Sequence, residues 1–440
     1  MRQVHNNTSY MRDIALKYLR STDDTGLSKA GRVQSILALL LLLLSDIALA
    51  ITLHDQQLEV NGHAISLRVP AGLKVEYLAS LDGPRFLTPG PGNELLIGSN
   101  NANVYRLAPP YNSPETLVTL PGKNHSIAYR NGRLFVAETS ALHEAGYTGP
   151  TTILNSDDFS RYVELPSATG GHWSRTVIRG PDDLLYIGIG ISGNCSDEYL
   201  DDSYTFDRRR GGVFQLDESG DSPVLKPFSS GLRNPIGLAF DPATDNLYAT
   251  NAGPDNLGYE QPREIFSRLT QGSFHGMPWF QFIDGAFQDG QCIDTELSPR
   301  PASEATQPAV TFDARSTPQG IAFISDNKLG DEFTGSAVVA IHGSWARQPG
   351  GGDETRRPPK LALVRFSENQ PQGVEDMVTG FQRSDGSRFA RPSGVLIGPD
   401  GYLYFTSDGG DVEGLFRLGP VGNNPGSNFT VSSLLLLLLD

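Results

Sequence analysis

Cysteine is scarce in this chain: Cys195 and Cys292 are the only two among 440 residues. Two thiols without a neighbouring cluster of histidines are too few for a zinc site. The Cys-x-x-Cys-His string that attaches a haem is also absent. The two cysteines can form one disulfide in an exported protein, but sequence alone does not place them within bridging distance. Their pairing is therefore open at this stage.

Basic residues are in deficit as well. The chain carries 50 Asp and Glu against 35 Lys and Arg, which gives a formal net charge of −15. Nucleic acids and anionic membranes are bound through basic patches, so this balance argues against both as partners. The negative net charge does not argue against a small neutral substrate.

Long hydrophobic runs are missing too. The apolar run Ile36–Leu44 and the six leucines Leu434–Leu439 are both far shorter than the ~20 residues that cross a bilayer as a helix. Lys29 and Arg32 precede the first run, and Ala48-Leu49-Ala50 follows it, which is the pattern of a secretory signal peptide. We therefore expect cleavage after Ala50 and a periplasmic or secreted protein.

Long stretches with a 3.6-residue apolar period are absent, and short strand-like segments alternate with turns rich in Gly, Pro and Asp. A weak repeat of a turn followed by a Leu-Tyr strand recurs about every 40–65 residues, most clearly at Gly180–Ile187 and Gly398–Phe405. This pattern predicts an all-β fold, a six-bladed β-propeller. We assign residues 1–50 to an N-terminal extension with the signal peptide, 51–419 to the propeller and 420–440 to a flexible tail.

Polar residues open several of the predicted inner strands. In a propeller these positions converge on one mouth of the central channel. Arginine binds carboxylates in bidentate fashion and stacks on flat rings, so a ring of Arg, Asn and His there favours an anionic, planar ligand. The residues that share this position are Arg85, His125, His172, Arg233 and Arg391.

Several segments, in this order, carry a family resemblance. They are Gly171–Ile178 with Gly180-Pro181-Asp182, Gly231–Pro235, Asn251–Gly258 with Pro262 and Glu264, Gly272–Trp279, Ile341–Arg347, and Arg391-Pro392. Together they resemble the pyrroloquinoline-quinone (PQQ)-dependent soluble glucose, sorbosone and pyranose dehydrogenases, which are six-bladed propellers.

The resemblance implies a cofactor site and a catalytic base. His172 would be the general base that takes a proton from the sugar hydroxyl, a role suited to imidazole. It also implies PQQ and calcium as cofactors, with the backbone carbonyls of Gly253 and Pro254 as calcium ligands. The PQQ contacts that it implies, together with those expected from register or strand position, are Arg233, Asn234, Arg391, His342, Arg347, Arg175 and His125, with Trp345 as a stacking residue.

The chain departs from the family pattern at four places. Gly171 replaces the acidic residue that precedes the base in glucose-oxidising members, and Ala346 stands where sorbosone-type sequences usually have Asn. Cys195 is present without the second nearby cysteine. Asp313-Ala314-Arg315-Ser316 stands where relatives tend to carry a His. These departures leave the substrate unassigned.

Three functions remain in view. The first is an exported dehydrogenase that oxidises a sugar or related alcohol or aldehyde and passes electrons to a separate cytochrome or quinone. The second is a calcium-dependent lactonase or hydrolase, which needs carboxylates that face the channel. The third is a propeller that binds a carbohydrate or protein without catalysis.

Overall fold

The computed structural model describes residues 50–167 and 170–422. The predicted signal peptide and most of the predicted C-terminal tail lie outside these residues. Within them the secondary structure is β-strands and six single-turn 3-10 helices, and no α-helix occurs. The 3-10 turns are Ser156–Asp158, Phe206–Arg208, Thr295–Leu297, Ala302–Glu304, Asp331–Phe333 and Asp353–Thr355.

The strands form six blades, which confirms the predicted propeller. A hairpin precedes them, and β3 follows it: β1 (Leu53–Val60), β2 (His63–Pro70), β3 (Leu73–Ala79). Blade 1 contains β4 (Pro84–Pro89), β5 (Leu95–Ser99), β6 (Asn103–Leu107) and β7 (Glu115–Thr119). Blade 2 contains β8 (Ser126–Arg130), β9 (Arg133–Ala137), β10 (Ala141–Gly146) and β11 (Ser160–Glu164).

The middle blades carry the long insertions. Blade 3 contains β12 (Arg175–Arg179), β13 (Leu185–Ile189), β14 (Gly212–Asp217) and β15 (Val224–Ser230). Blade 4 contains β16 (Pro235–Phe240), β17 (Leu247–Asn251), β18 (Glu264–Leu269) and, after an excursion, β22 (Val310–Phe312). The excursion holds β19 (Ser273–Phe274), which joins the outer edge of blade 3, and the hairpin β20 (Phe280–Ile283) and β21 (Ala286–Asp289).

The last two blades complete the ring. Blade 5 contains β23 (Pro318–Phe323), β24 (Ala337–Ile341), β25 (Lys360–Ser367) and β26 (Gln370–Val378). Blade 6 contains β27 (Pro392–Ile397), β28 (Leu403–Ser407) and β29 (Gly414–Pro420), and its outer strand is β3 from the start of the propeller. This pairing joins the two ends of the propeller within one blade.

The inner strands β4, β8, β12, β16, β23 and β27 pack against one another in sequence order, and β27 packs against β4. Hydrogen bonds between blades hold them: Thr250 Oγ1 donates to Gln319 O at 2.7 Å, and Thr406 Oγ1 donates to Arg85 O at 2.6 Å. A Cβ on Gly237 would lie 2.0 Å from Gln319 O, so glycine is required for this close approach.

The sequence repeat has a direct structural cause. In the copy at Asp182 the carboxylate accepts a hydrogen bond from Tyr186 Oη at 2.8 Å, and in the copy at Asp400 it accepts one from Tyr404 Oη, also at 2.8 Å. Each pair fastens the turn to the second strand of its blade. The repeat therefore marks a structural element of the blade rather than the channel.

Candidate active site

A cavity of about 690 Å³ opens where the inner strands of blades 3 to 6 begin. Its lining is rich in guanidinium groups and poor in carboxylates. The predicted site residues that line it are His172, Arg233, Asn234, Gly253, Trp345, Arg347 and Arg391. The cavity is also lined by residues to which the sequence assigned no role: Ala252, Asp255, Gly258, Tyr259, Glu264, Arg315, Thr317, Gly343, Ser344, Ala346 and Pro349.

His172 is fixed in one tautomer by its backbone surroundings. Its Nδ1 lies 2.6 Å from Ile191 O, a distance at which Nδ1 carries the proton and donates. Nε2 then keeps its lone pair and can accept a proton. Burial, with the positive charge of Arg233 second, lowers the pKa of His172 to about 4, so the imidazole is neutral at physiological pH.

Two buried arginines hold the backbone of His172 from behind. Arg175 Nη1 donates to His172 O at 3.1 Å, and Arg210 Nη2 donates to the same oxygen at 3.4 Å. Both guanidinium groups also donate to Pro166 O. Arg175 is fully buried and outside the cavity, because its side chain turns towards these carbonyls and away from the channel. The expected direct contact of Arg175 with a cofactor does not fit this position, and its guanidinium group instead holds the backbone of His172.

Arg233 is oriented by a loop that the two cysteines secure. Arg233 Nε donates to Asn194 O at 3.0 Å, and Nη2 donates to Asn194 Oδ1 at 2.9 Å. Cys195, the next residue, forms a disulfide with Cys292, whose Cα lies 5.1 Å away. The pairing that the sequence left open is thus present, and it joins the loop 194–210 to the insertion 282–309.

Asn234 places an amide oxygen beside His172. Its Oδ1 is buried and has no hydrogen-bond partner in the described structure. A Cβ on Gly190 would lie 2.4 Å from this oxygen and 2.9 Å from His172 Cβ. The small residue at position 190 therefore allows the amide and the imidazole to lie side by side.

An exposed indole forms the opposite wall. Trp345 is 62% exposed, and the guanidinium carbons of Arg356, Arg388 and Arg391 lie 4.7, 5.1 and 5.1 Å from its ring. Arg391 is held by the carbonyls of His342 (3.2 Å) and Gly343 (2.7 Å). Arg347, also at this wall, pairs with Asp353. A flat, anionic molecule can stack here beside several positive charges.

The loop of residues 253–261, which we call the carbonyl loop, forms the floor beside Glu264. The buried carboxylate of Glu264 accepts from Gly253 N at 2.6 Å and from Arg315 N at 2.9 Å. Burial raises the pKa of Glu264 to about 7, against the opposing effect of these N–H groups and of Arg233 and Arg315.

Three predicted polar residues lie deeper, outside the cavity. Arg85 pairs with Asp408 at 2.5 Å and donates through Nε to His125 Nδ1 at 3.3 Å. His342 Nδ1 lies 3.5 Å from the other oxygen of Asp408. Both imidazoles are buried, and burial lowers their pKa, to about 3 for His342. The strand positions of these residues match the site, but their side chains form an internal network around Asp408.

Pro254 also does not line the cavity, and its carbonyl accepts a hydrogen bond from Arg315 Nη1. Arg315 stood out in the sequence only as a departure from the family pattern. Arg210 and Asn194 lay in a loop with no motif. Glu264 belongs to one of the family motifs, and its position at the start of β18 is the one feature of the sequence that points to a role in the site.

In residues 50–167 and 170–422 we find no helix with the length and apolar character that crossing a membrane requires. The same residues contain no group of three or more His, Cys, Asp or Glu side chains arranged to hold a metal ion.

Comparisons with known proteins agree with this architecture. The PQQ domain of a Coprinopsis cinerea pyranose dehydrogenase superposes with a TM-score of 0.62 at 19% identity, over 81% of this chain and 97% of that one. A calcium structure of a Trichoderma reesei Carbohydrate-Active Enzymes Family AA12 protein gives a TM-score of 0.65 at 17% identity, over 80% and 96%. An uncharacterized protein of Borreliella burgdorferi is 22% identical over 359 residues, which are 79% of this chain and 89% of that protein. At these identities the structural likeness establishes the fold.

The family itself is identified over a longer stretch than any motif covers. Residues 156–415, more than half of the chain, match the glucose/sorbosone dehydrogenase family. They run from the end of blade 2 to blade 6 and include every predicted site residue except Arg85 and His125. The chain belongs to the glucose/sorbosone dehydrogenase family.

Proposed function

We propose that this protein is an exported quinoprotein dehydrogenase that oxidises a sugar or a related alcohol or aldehyde with PQQ as cofactor. The observation that carries the proposal is the composition of the cavity. Arg233, Arg315, Arg347 and Arg391 face one space together with the exposed ring of Trp345 and the neutral imidazole of His172.

The cavity fits a planar, anionic quinone. Guanidinium groups bind carboxylates and stack on flat rings, and Trp345 offers an aromatic face. Asn234 also lines the cavity, and its buried Oδ1 has no hydrogen-bond partner in the described structure, which supports a role of this amide in binding a ligand. Arg233 and Asn234 would hold the cofactor at the end near His172, and Arg391 and Arg347 at the end near Trp345.

His172 supplies the base for the oxidation. Its Nε2 would accept the proton of the substrate hydroxyl, while the hydrogen bond from Nδ1 to Ile191 O stabilises the imidazolium that forms. Arg175 and Arg210 keep the imidazole in place through His172 O. PQQ, when bound, supplies a quinone carbon that accepts the hydride from the substrate carbon.

Calcium, which the family resemblance implies, does not fit the carbonyl loop as it stands. A guanidinium group already lies against Pro254 O, one of the two carbonyls expected to bind the ion. A divalent cation at that oxygen would be within a few ångströms of a positive charge, in a site where the repulsion is weakly screened. We therefore derive no step from calcium.

The cavity disfavours a lactonase or hydrolase. Of its carboxylates, Glu264 is buried and accepts hydrogen bonds from two backbone N–H groups, and Asp255 contacts Arg315 at 3.0 Å. Both carboxylates therefore already interact with N–H groups or a guanidinium group of the chain. The positive lining favours an anionic cofactor instead.

The turnover experiment tests the proposal directly. The purified protein is incubated with PQQ, and sugars, sugar alcohols and aldehydes are screened with an artificial electron acceptor. PQQ-dependent turnover of at least one of them is expected. Turnover that is independent of PQQ, or its absence with every substrate while PQQ is bound, would contradict the proposal.

Export and the electron acceptor are part of the same proposal. The disulfide between Cys195 and Cys292 supports an oxidising compartment. The absence of a haem attachment motif in the sequence supports a separate acceptor, a cytochrome or a quinone. Mass spectrometry of the N-terminus of protein isolated from periplasm or medium should find Ile51 as the first residue.

A further inference from the structure

All five N–H groups of the Arg315 guanidinium have acceptors in the carbonyl loop. Nε donates to Gly258 O at 3.0 Å, and Nη2 donates to Gln261 O at 2.9 Å and to Gly258 O. Nη1 donates to Pro254 O and lies 3.0 Å from Asp255 Oδ1. Guanidinium has five donors in a fixed plane, so this set of oxygens uses its full capacity.

The position of this cation is set by the backbone. Arg315 has φ of 68°, in the left-handed region, and its N–H donates to the buried Glu264. Glu264 also binds Gly253 N, so one carboxylate ties the start of the carbonyl loop to the residue that fills it. Arg315 is only 3% exposed, yet it contributes to the lining of the cavity.

We propose that Arg315 is a built-in cation that takes the place of a calcium ion, so that this protein binds PQQ without a divalent metal. The inference rests on the proposed function. The carbonyl loop presents several oxygens to one positive charge, as a calcium site does. Here the charge belongs to the chain, stays next to the cofactor cavity and cannot be removed by a chelator.

The first test compares PQQ binding with and without metal. The purified protein is treated with EDTA, and PQQ is titrated while the quinone absorbance and tryptophan fluorescence are followed, in EDTA and in millimolar CaCl2. We expect the dissociation constants in EDTA and in CaCl2 to agree within about twofold, which is much less than a tenfold change in affinity. Binding that occurs only with calcium, or is more than about tenfold tighter with it, would overturn the inference and leave the proposed function standing. Failure to bind in either condition would overturn both.

A thermal denaturation series supplies a second readout. A ligand that binds only the folded state raises the midpoint of unfolding. Adding calcium to the cofactor-free protein should leave this midpoint unchanged, and adding PQQ in EDTA should raise it. A clear rise with calcium alone would overturn the inference.

Variants separate the charge from the fold. Arg315→Ala empties the carbonyl loop, so its PQQ affinity in EDTA should fall by about tenfold or more, and calcium should restore part of it. Arg263→Ala is the matched control, because this nearby arginine is partly exposed and pairs with Asp313 outside the cavity. Unchanged affinity of Arg315→Ala in EDTA would refute the role of Arg315. If this buried substitution prevents folding, the comparison of the wild type in EDTA and calcium decides the question.

Discussion

Replacing His172 by alanine removes the imidazole that lines the cavity and leaves the arginines of the cavity in place. General base catalysis typically contributes about 10²–10⁴-fold to a rate, so kcat for sugar oxidation should fall by roughly this factor while PQQ still binds. His172→Gln should fall equally far, because an amide can form the hydrogen bond to Ile191 O but cannot take up a proton. His54→Ala is the control, since that imidazole is exposed on the hairpin before the propeller.

The pKa of about 4 gives the same residue a pH signature. Burial and neighbouring guanidinium groups disfavour the imidazolium, so His172 in the cofactor-free protein should titrate near 4 and not near 6.5. An anionic ligand in the cavity favours the charged form, so binding of PQQ should raise this pKa. Affinity for PQQ should then increase as pH falls through the pKa of the complex towards 4.

NMR of the imidazole signals, assigned with His172→Gln, measures both states. A pKa of His172 near 6.5 in the free protein, or a pKa that saturating PQQ leaves unchanged, would contradict this role of His172. A decrease in kcat of less than about tenfold in His172→Ala would also contradict it, since a general base contributes more than that.

Three more outcomes follow from the structure. Gly190→Ala should lower kcat, because its Cβ would lie 2.4 Å from Asn234 Oδ1. Gly171→Ala, whose Cβ would have no atom within 4 Å, should match the kcat of the wild type in steady-state assays. Replacing both Cys195 and Cys292 by serine should lower the free energy of unfolding in urea by about 2–4 kcal/mol, since the disulfide closes a long loop. It should also weaken PQQ binding, because the disulfide holds the loop whose Asn194 orients Arg233. Trp345→Ala should weaken PQQ binding and remove most of the fluorescence quenching, and equal quenching in the variant would contradict the stacking role.

The fold was predictable because the repeat has a local cause. The turn residues and the Asp–Tyr hydrogen bonds recur within single blades, so Gly180–Ile187 and Gly398–Phe405 carry the signal in a few consecutive residues. The ring is closed by pairing of β3 with β29, at the two ends of the propeller. Such a long-range pairing produces no pattern in consecutive residues of the sequence.

The site was predictable only where side-chain direction follows strand position. His172, Arg233 and Arg391 open inner strands and line the cavity as expected. Arg175 also begins an inner strand, but buried carbonyls draw its guanidinium away from the channel. Arg315 lies in a segment whose only sequence signal was a mismatch with related proteins, and its role becomes visible through contacts with a loop more than 50 residues earlier.

The cavity at the start of the inner strands is expected to bind PQQ, and an absorption titration of the purified protein with PQQ measures this binding. Wild type should show a saturable change with one cofactor per chain, and Arg233→Gln and Arg391→Gln should each weaken it by about tenfold or more through loss of a charged hydrogen-bonding partner. A spectrum that is unchanged at micromolar PQQ, or binding that both variants leave intact, would contradict it.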